Sequence, residues 1–302
     1  MRVRGRHTFC VIIRAGRDHP ECVTTDHPRG GHPTGMFSNV VVGVKGPEAG
    51  RDALCLARNL TSAAGKVTLA GVHLMAPRPA PDSGAAASAA RRRDALERLA
   101  ALRDESQLDV ELVYVEAPSV RQGLHDLARA RNADLLVIAA SREDVIYRDL
   151  VGDDAGELLE GAPCPIAVAP VGYSERQGSL RRIGVGYDGS PASARALDMA
   201  RKLTADPTTK LSAFQAVSGP GRVEETVDDE VARALETLNK LAAVDAHAEY
   251  GEPVAQLRRY GRSVDLLVLG SRRHSPVARS LGQGIAARLA DDPPCPLLVV
   301  AS

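Results

Sequence analysis

Apolar residues in this chain fall into short runs rather than long ones. From residue 37 onward, runs such as NVVVGV, VTLAGVHL, VELVYV, LLVIAA and PIAVAPV alternate with stretches in which apolar residues recur at every third or fourth position. A short Val, Ile and Leu run suits a strand buried on both faces, and the wider spacing suits a helix with one buried stripe. The pattern predicts strands over 39–44, 67–74, 109–115, 135–139 and 166–169, with helices near 49–60, 90–106, 120–131 and 155–159. It then begins again, predicting strands over 182–187, 211–217, 246–250, 266–269 and 297–301 with helices between them. Strands separated by helical crossovers imply a parallel sheet covered on both faces.

The most legible unit is RRIGVGYDGSPASARALDMARKL, residues 181–203. Its strand is broken by Asp188, Gly189 and Ser190, where Ser190 is a good helix N-cap and Pro191 a good first helical residue. Ala196, Leu197, Ala200 and Leu203 follow at helical spacing. Asp188 therefore stands at a strand's carboxyl end, the edge where open parallel sheets bind ligands. The same unit occurs earlier as NVVVGVKGPEAGRDALCLARNL, offset by 143 residues (Gly46 to Gly189). The ends of the two copies also repeat, ADLLVIAAS with GAPCPIAVAP and VDLLVLGS with DPPCPLLVVAS, now offset by 131 (Cys164 to Cys295). The low-complexity stretch PRPAPDSGAAASAA accounts for the greater length of the first copy. An internal duplication follows, with a first domain over 37–173, a linker over 174–179 and a second domain over 180–302. Residues 1–36, rich in Gly and Pro, are expected to form a flexible tail. Met36, directly before the first ordered segment, is a candidate start of translation.

Composition narrows the functional classes. Lys plus Arg and Asp plus Glu both number 38, so no general polyanion-binding surface is expected. Trp is absent and Phe numbers three, which disfavours a stacking platform for nucleic acid. No run has the roughly 18 apolar residues of a membrane span. Five scattered cysteines without a CxxC pair fit a reducing cytoplasm. Cys10, His19, Cys22, His27 and His32 match no zinc-ligand spacing. Neither a nucleophile elbow nor a P-loop is present.

The combination of GVGYDGSPASARAL, DLLVLGSRR and PPCP, whose counterparts ending in APCP come in the same order in the first half, resembles the universal stress protein family in its tandem form. The resemblance covers almost everything from residue 37. It implies two tandem doubly wound α/β domains, each with a five-stranded mostly parallel sheet, Rossmann-like and akin to adenine nucleotide alpha hydrolases. It also implies pairing through the terminal strands and a role in stress tolerance. One branch of the family holds ATP with the Asp after strand one and a G-x-x-G-(x9)-G-[ST] loop after strand four; the other lacks that loop and binds none.

On this resemblance the candidate nucleotide site is in the second half: Asp188, Gly189, Ser190, Gly270, Ser271, Arg272, Arg273, Gly282 and Gly284. The loop departs from the pattern, because Arg273 stands at its second glycine and Gln283–Gly284 at its final pair, with Gly282 one residue early. Ser271, Arg272, Arg273, His274, Arg279 and Ser280 still offer donors and positive charge to a phosphate, and Gly284 opens a helix. The first half departs further. Lys45 replaces Asp188 and Pro47 replaces Ser190; Ala140 and Glu143 replace loop glycines, and Asp153 and Asp154 follow Gly152. Acids there satisfy the helix dipole and repel phosphate, so the first half reads as a structural partner. Cys164 and Cys295, each between prolines, read as packing residues, and His125 as a surface residue of its helix.

The resulting expectation is a cytoplasmic, non-enzymatic stress-response or regulatory protein with ATP or another adenine nucleotide in the second domain. No catalytic residue, metal, nucleic acid or membrane partner is assigned. The rivals are an interaction module that binds no nucleotide and a weak ATPase. Whether the tandem chain dimerises stays open.

Overall fold

The computed structural model describes residues 9–13, 35–75, 85–106, 108–140, 155–176, 178–218, 226–271 and 284–301. Its strands are β1 (Phe9–Ile13), β2 (Phe37–Gly43), β3 (Thr61–Leu74), β4 (Val110–Ala117), β5 (Leu135–Ala139), β6 (Ile166–Ala169), β7 (Arg182–Gly186), β8 (Lys210–Val217), β9 (Asp245–Tyr250), β10 (Leu266–Gly270) and β11 (Leu297–Val300). The helices are α1 (Pro47–Leu60), α2 (Ala85–Ser106), α3 (Val120–Ala130), α4 (Ala155–Leu158), α5 (Pro191–Leu203), α6 (Val227–Asn239), α7 (Pro253–Gly261) and α8 (Ile285–Ala290).

All eleven strands join one sheet in the order β1-β4-β3-β2-β5-β6-β11-β10-β7-β8-β9. Within each half the strand order reverses at the first strand of the repeat, β2 or β7, which makes each half doubly wound. Pairing is parallel throughout each half. The halves meet antiparallel, with Leu297 opposite Val168, Leu298 opposite Ala167 and Val299 opposite Ile166. Two apolar edges that would otherwise face water are thereby hidden in each other.

Alternation along these strands builds a core on each face of the sheet. Ala167, Ala169, Leu298 and Val300 pack with α1, α2 and α5 residues such as Leu56, Leu99 and Leu197. Ile166, Val168, Leu297 and Val299 pack on the opposite face with Leu124 of α3, Leu158 of α4, Leu257 of α7 and Leu289 of α8. Each core runs across the junction between the halves.

Local chemistry explains where the helices begin. Ser119 caps α3 by accepting from the Gln122 N–H, and Ser190 caps α5 by accepting from that of Ser193. Thr226 and Asp229 form a reciprocal capping box on α6, with Asp228, Asp229 and Glu230 in the first turn of that helix. A further device is used twice. Asp134 accepts from the N–H groups of Ser38 and Asn39 at 2.7 and 2.9 Å. Its repeat equivalent Asp265 accepts from those of Arg181 and Arg182 at 3.0 and 2.8 Å and pairs with the Arg182 guanidinium at 2.7 Å. Each carboxylate ties the start of a first strand to the start of its neighbouring fourth strand.

Two segments differ from the sequence expectation. Phe9–Ile13, placed in a flexible tail, forms an edge strand antiparallel to β4, from Phe9 opposite Glu116 to Ile13 opposite Leu112. The apolar run FCVII has the composition of a strand, and β4 presents it an unpaired edge. The other sheet edge, β9, is blunted by exposed Asp245 and His247. Strand β3 begins at Thr61, directly after α1, rather than at 67, because Thr61 already pairs with Phe37 ahead of a register shift.

Candidate functional site

The turn after β7 is shaped by backbone geometry first. Gly189 takes φ +75°, a left-handed conformation that disfavours a Cβ. Ser190 then turns extended and opens α5. Asp188 is exposed; its Oδ1 accepts from the Ser190 N–H at 3.0 Å, and its own N–H donates to the Ser193 hydroxyl at 3.3 Å. The turn thus presents a carboxylate and a hydroxyl at the carboxyl end of β7, where the strand order reverses.

Gly270 closes β10 beside it. A Cβ there would lie 2.2 Å from the Ala192 carbonyl oxygen, so glycine is what lets the first turn of α5 approach the end of β10. Ser271 follows, its N–H donating to the Val300 carbonyl at 2.9 Å. Gly284 is the exposed N-cap of the six-residue helix α8. Gly270 thereby lies against Ala192, in the first turn of the helix that Ser190 caps. Arg272, Arg273 and Gly282, with His274, Arg279 and Ser280, lie outside the described residues.

In the first half, Gly46 is the N-cap of α1 without a side-chain cap, and Pro47 is its first residue. A cavity of about 510 Å³ opens at the carboxyl ends of β2, β3 and β5, lined by Lys45, Gly71, Arg91, Arg98 and many aliphatic groups. The sequence reading missed it. Its only local signal is the small pair Ala70–Gly71 within VTLAGVHL, unremarkable until α2 packs above it.

His125 is buried, not at the surface as its helix position suggested. It shares the inner face of α3 with Leu124, Leu127 and Ala128, and its Nε2 lies 2.9 Å from the Leu158 carbonyl of α4. Burial pushes its pKa below the usual histidine range, although the Leu158 carbonyl pulls the other way. Cys164 and Cys295 are buried too, and burial pushes their thiols up to about 11 and about 12. Thiols so placed are poor nucleophiles near neutral pH. Among the described residues no group of three or more His, Cys, Asp and Glu could hold a metal ion, and no helix is long and apolar enough to cross a membrane.

The comparisons with known proteins agree with this architecture. The Universal stress protein family model matches residues 36–170 and again 179–301. A universal stress protein from Archaeoglobus fulgidus superimposes with a TM-score of 0.63 at 14% identity, covering 90% of this chain and 98% of its own. A putative universal stress protein from Pseudomonas aeruginosa UCBPP-PA14 gives 0.56 at 16% identity, covering 89% and 94%. PA1789 from Pseudomonas aeruginosa PAO1, described as functionally unknown, gives 0.56 at 14%, covering 90% and 95%. No curated protein sequence matches the chain. With two successive matches of the family and one doubly wound half of the sheet per match, the chain belongs to the universal stress protein family, in its tandem form.

Proposed function

We propose that this protein is a non-enzymatic regulator of the cytoplasm whose second domain, residues 180–302, binds an adenine nucleotide. The first domain, 37–173, docks against it across the 174–179 linker. The reading is supported above all by one observation. The Asp188–Gly189–Ser190 turn and Gly270 stand together at the point where the strand order reverses, with Gly270 against Ala192. Such a crevice is where doubly wound sheets hold nucleotides. Asp188 would accept from a ribose hydroxyl or an adenine amine, and Arg272 and Arg273 would meet phosphate. ATP would then act by mass action, favouring the state that binds it, rather than as a substrate.

The test is thermal unfolding of the full chain with and without ATP. ATP raises Tm for the parent, and the rise is lost in Asp188→Ala and reduced in Arg272→Ala. A rise of equal size in all three proteins would move nucleotide binding away from this turn, and no rise in any would leave an interaction module without nucleotide. Phosphate release dependent on Asp188 would instead favour the weak ATPase.

A further inference from the structure

The first-half cavity has a chemistry unlike that of the second-half turn. Its walls are aliphatic, with Ala70, Gly71, Val72, Leu99, Leu102 and Ile138 among the lining residues. Its lining cations are Lys45, which follows β2 where the other half has Asp188, Arg51 of α1, and Arg91 and Arg98 of α2. Seven residues separate Arg91 from Arg98, two turns of helix, so they share the face that also carries Leu99 and Leu102. Both arginines are exposed. Asp94, Glu105 and Asp291 are the acidic groups of the lining, and Glu105 is held by Arg51 at 2.8 Å. The charge of Arg91 reaches inward as well: after burial itself, it is what most depresses the basicity of His73.

An apolar chamber edged by exposed arginines recognises a molecule with an apolar body and one anionic end. A volume of about 510 Å³ accommodates a medium-length hydrocarbon chain. With Lys45 in place of an aspartate, the turn offers no carboxylate to a ribose. We propose that the first domain is a binding site for an aliphatic carboxylate of medium chain length. The tail would lie along β3 between α2 and Ile138, and the head would meet Arg91 and Arg98. The site is independent of nucleotide binding in the second domain.

Calorimetric titration of the full chain with hexanoate, octanoate and decanoate tests the assignment. One equivalent should bind, with affinity rising about four-fold per added methylene as the tail is buried. Gly71→Leu fills the chamber and should abolish binding. A Cβ at position 71 meets only Leu99, at 3.5 Å, so the position has room to accept a side chain. Arg91→Ala with Arg98→Ala should weaken decanoate about ten-fold or more by removing charged hydrogen-bond donors. This pair is exposed on α2 and leaves the core intact, so it decides the matter even should Gly71→Leu unfold. Asp188→Ala should bind decanoate as the parent does. The assignment is overturned if no carboxylate binds, or if the arginine pair leaves decanoate affinity unchanged. Displacement of bound decanoate by ATP with one-to-one competition would overturn it too, making the cleft a nucleotide site.

Discussion

Gly270 shows how much a single residue's role depends on what lies beside it. As a sequence position it belongs to a loop motif for phosphate; in the fold, a Cβ there would strike the Ala192 carbonyl. Gly270→Ala should therefore destabilise the protein by about 2 kcal/mol, typical of overpacking, as measured by urea unfolding without any nucleotide. His125 carries the second residue-scale prediction. Its folded pKa is depressed, so below the ordinary histidine value near 6.5 the unfolded chain takes up a proton that the folded chain resists. The stability it contributes is complete above that value and is lost as pH falls through it toward the folded pKa. Unfolding free energies measured from pH 7.5 to 5 should fall less steeply in His125→Gln than in the parent. Nothing in HDLARARN marked this histidine as buried, because the deciding partner, the Leu158 carbonyl, is 33 residues away.

Between elements, carboxylates hold backbone together. Asp52 of α1 is 4% exposed and accepts from the N–H groups of Gly172 and Ser174 at 2.8 and 2.7 Å, and from the Ser174 hydroxyl at 2.7 Å. It fastens the turn that leaves β6 onto α1, while Asn59 adds a bond to the Tyr173 hydroxyl at 2.9 Å. Asp52→Ala strips those donors of a charged acceptor at a buried site and should cost about 3 kcal/mol. Amide exchange at Gly172 and Ser174 should accelerate while that of β2 keeps its protection relative to the global value. The strands and helices themselves were legible from the spacing of apolar positions. The Asp52 latch and the Asp134 and Asp265 ties were not, since each joins segments about a hundred residues apart whose meeting no local pattern encodes.

For the whole molecule, the antiparallel meeting of β6 and β11 makes one sheet from two repeats, and both cores cross the seam. Helices α4 and α8 also meet there, where Asp291 accepts from the Gly156 N–H at 3.3 Å. Neither half can leave without exposing apolar strand edge and core together. The full chain should therefore unfold in one calorimetric transition, with equal calorimetric and van't Hoff enthalpies; two resolved transitions would mean that the halves are energetically separate. Residues 179–301 expressed alone should self-associate, measurable by light scattering, because β11 would present an uncovered edge.

The order of residues was sufficient for the duplication, the alternation of strand and helix and the capped turn at Ser190, because each follows from local spacing; the pairing of the terminal strands was implied by the family resemblance and agrees with apolar edges that need cover. Only the assembled structure decided that Phe9–Ile13 extends the sheet, that His125 is buried and that Gly270 serves a helix contact. It alone revealed a cationic, oil-lined cavity in the half whose motif is most eroded. Those features depend on which distant surfaces come into contact, and that is set by packing over the whole sheet rather than by any one segment.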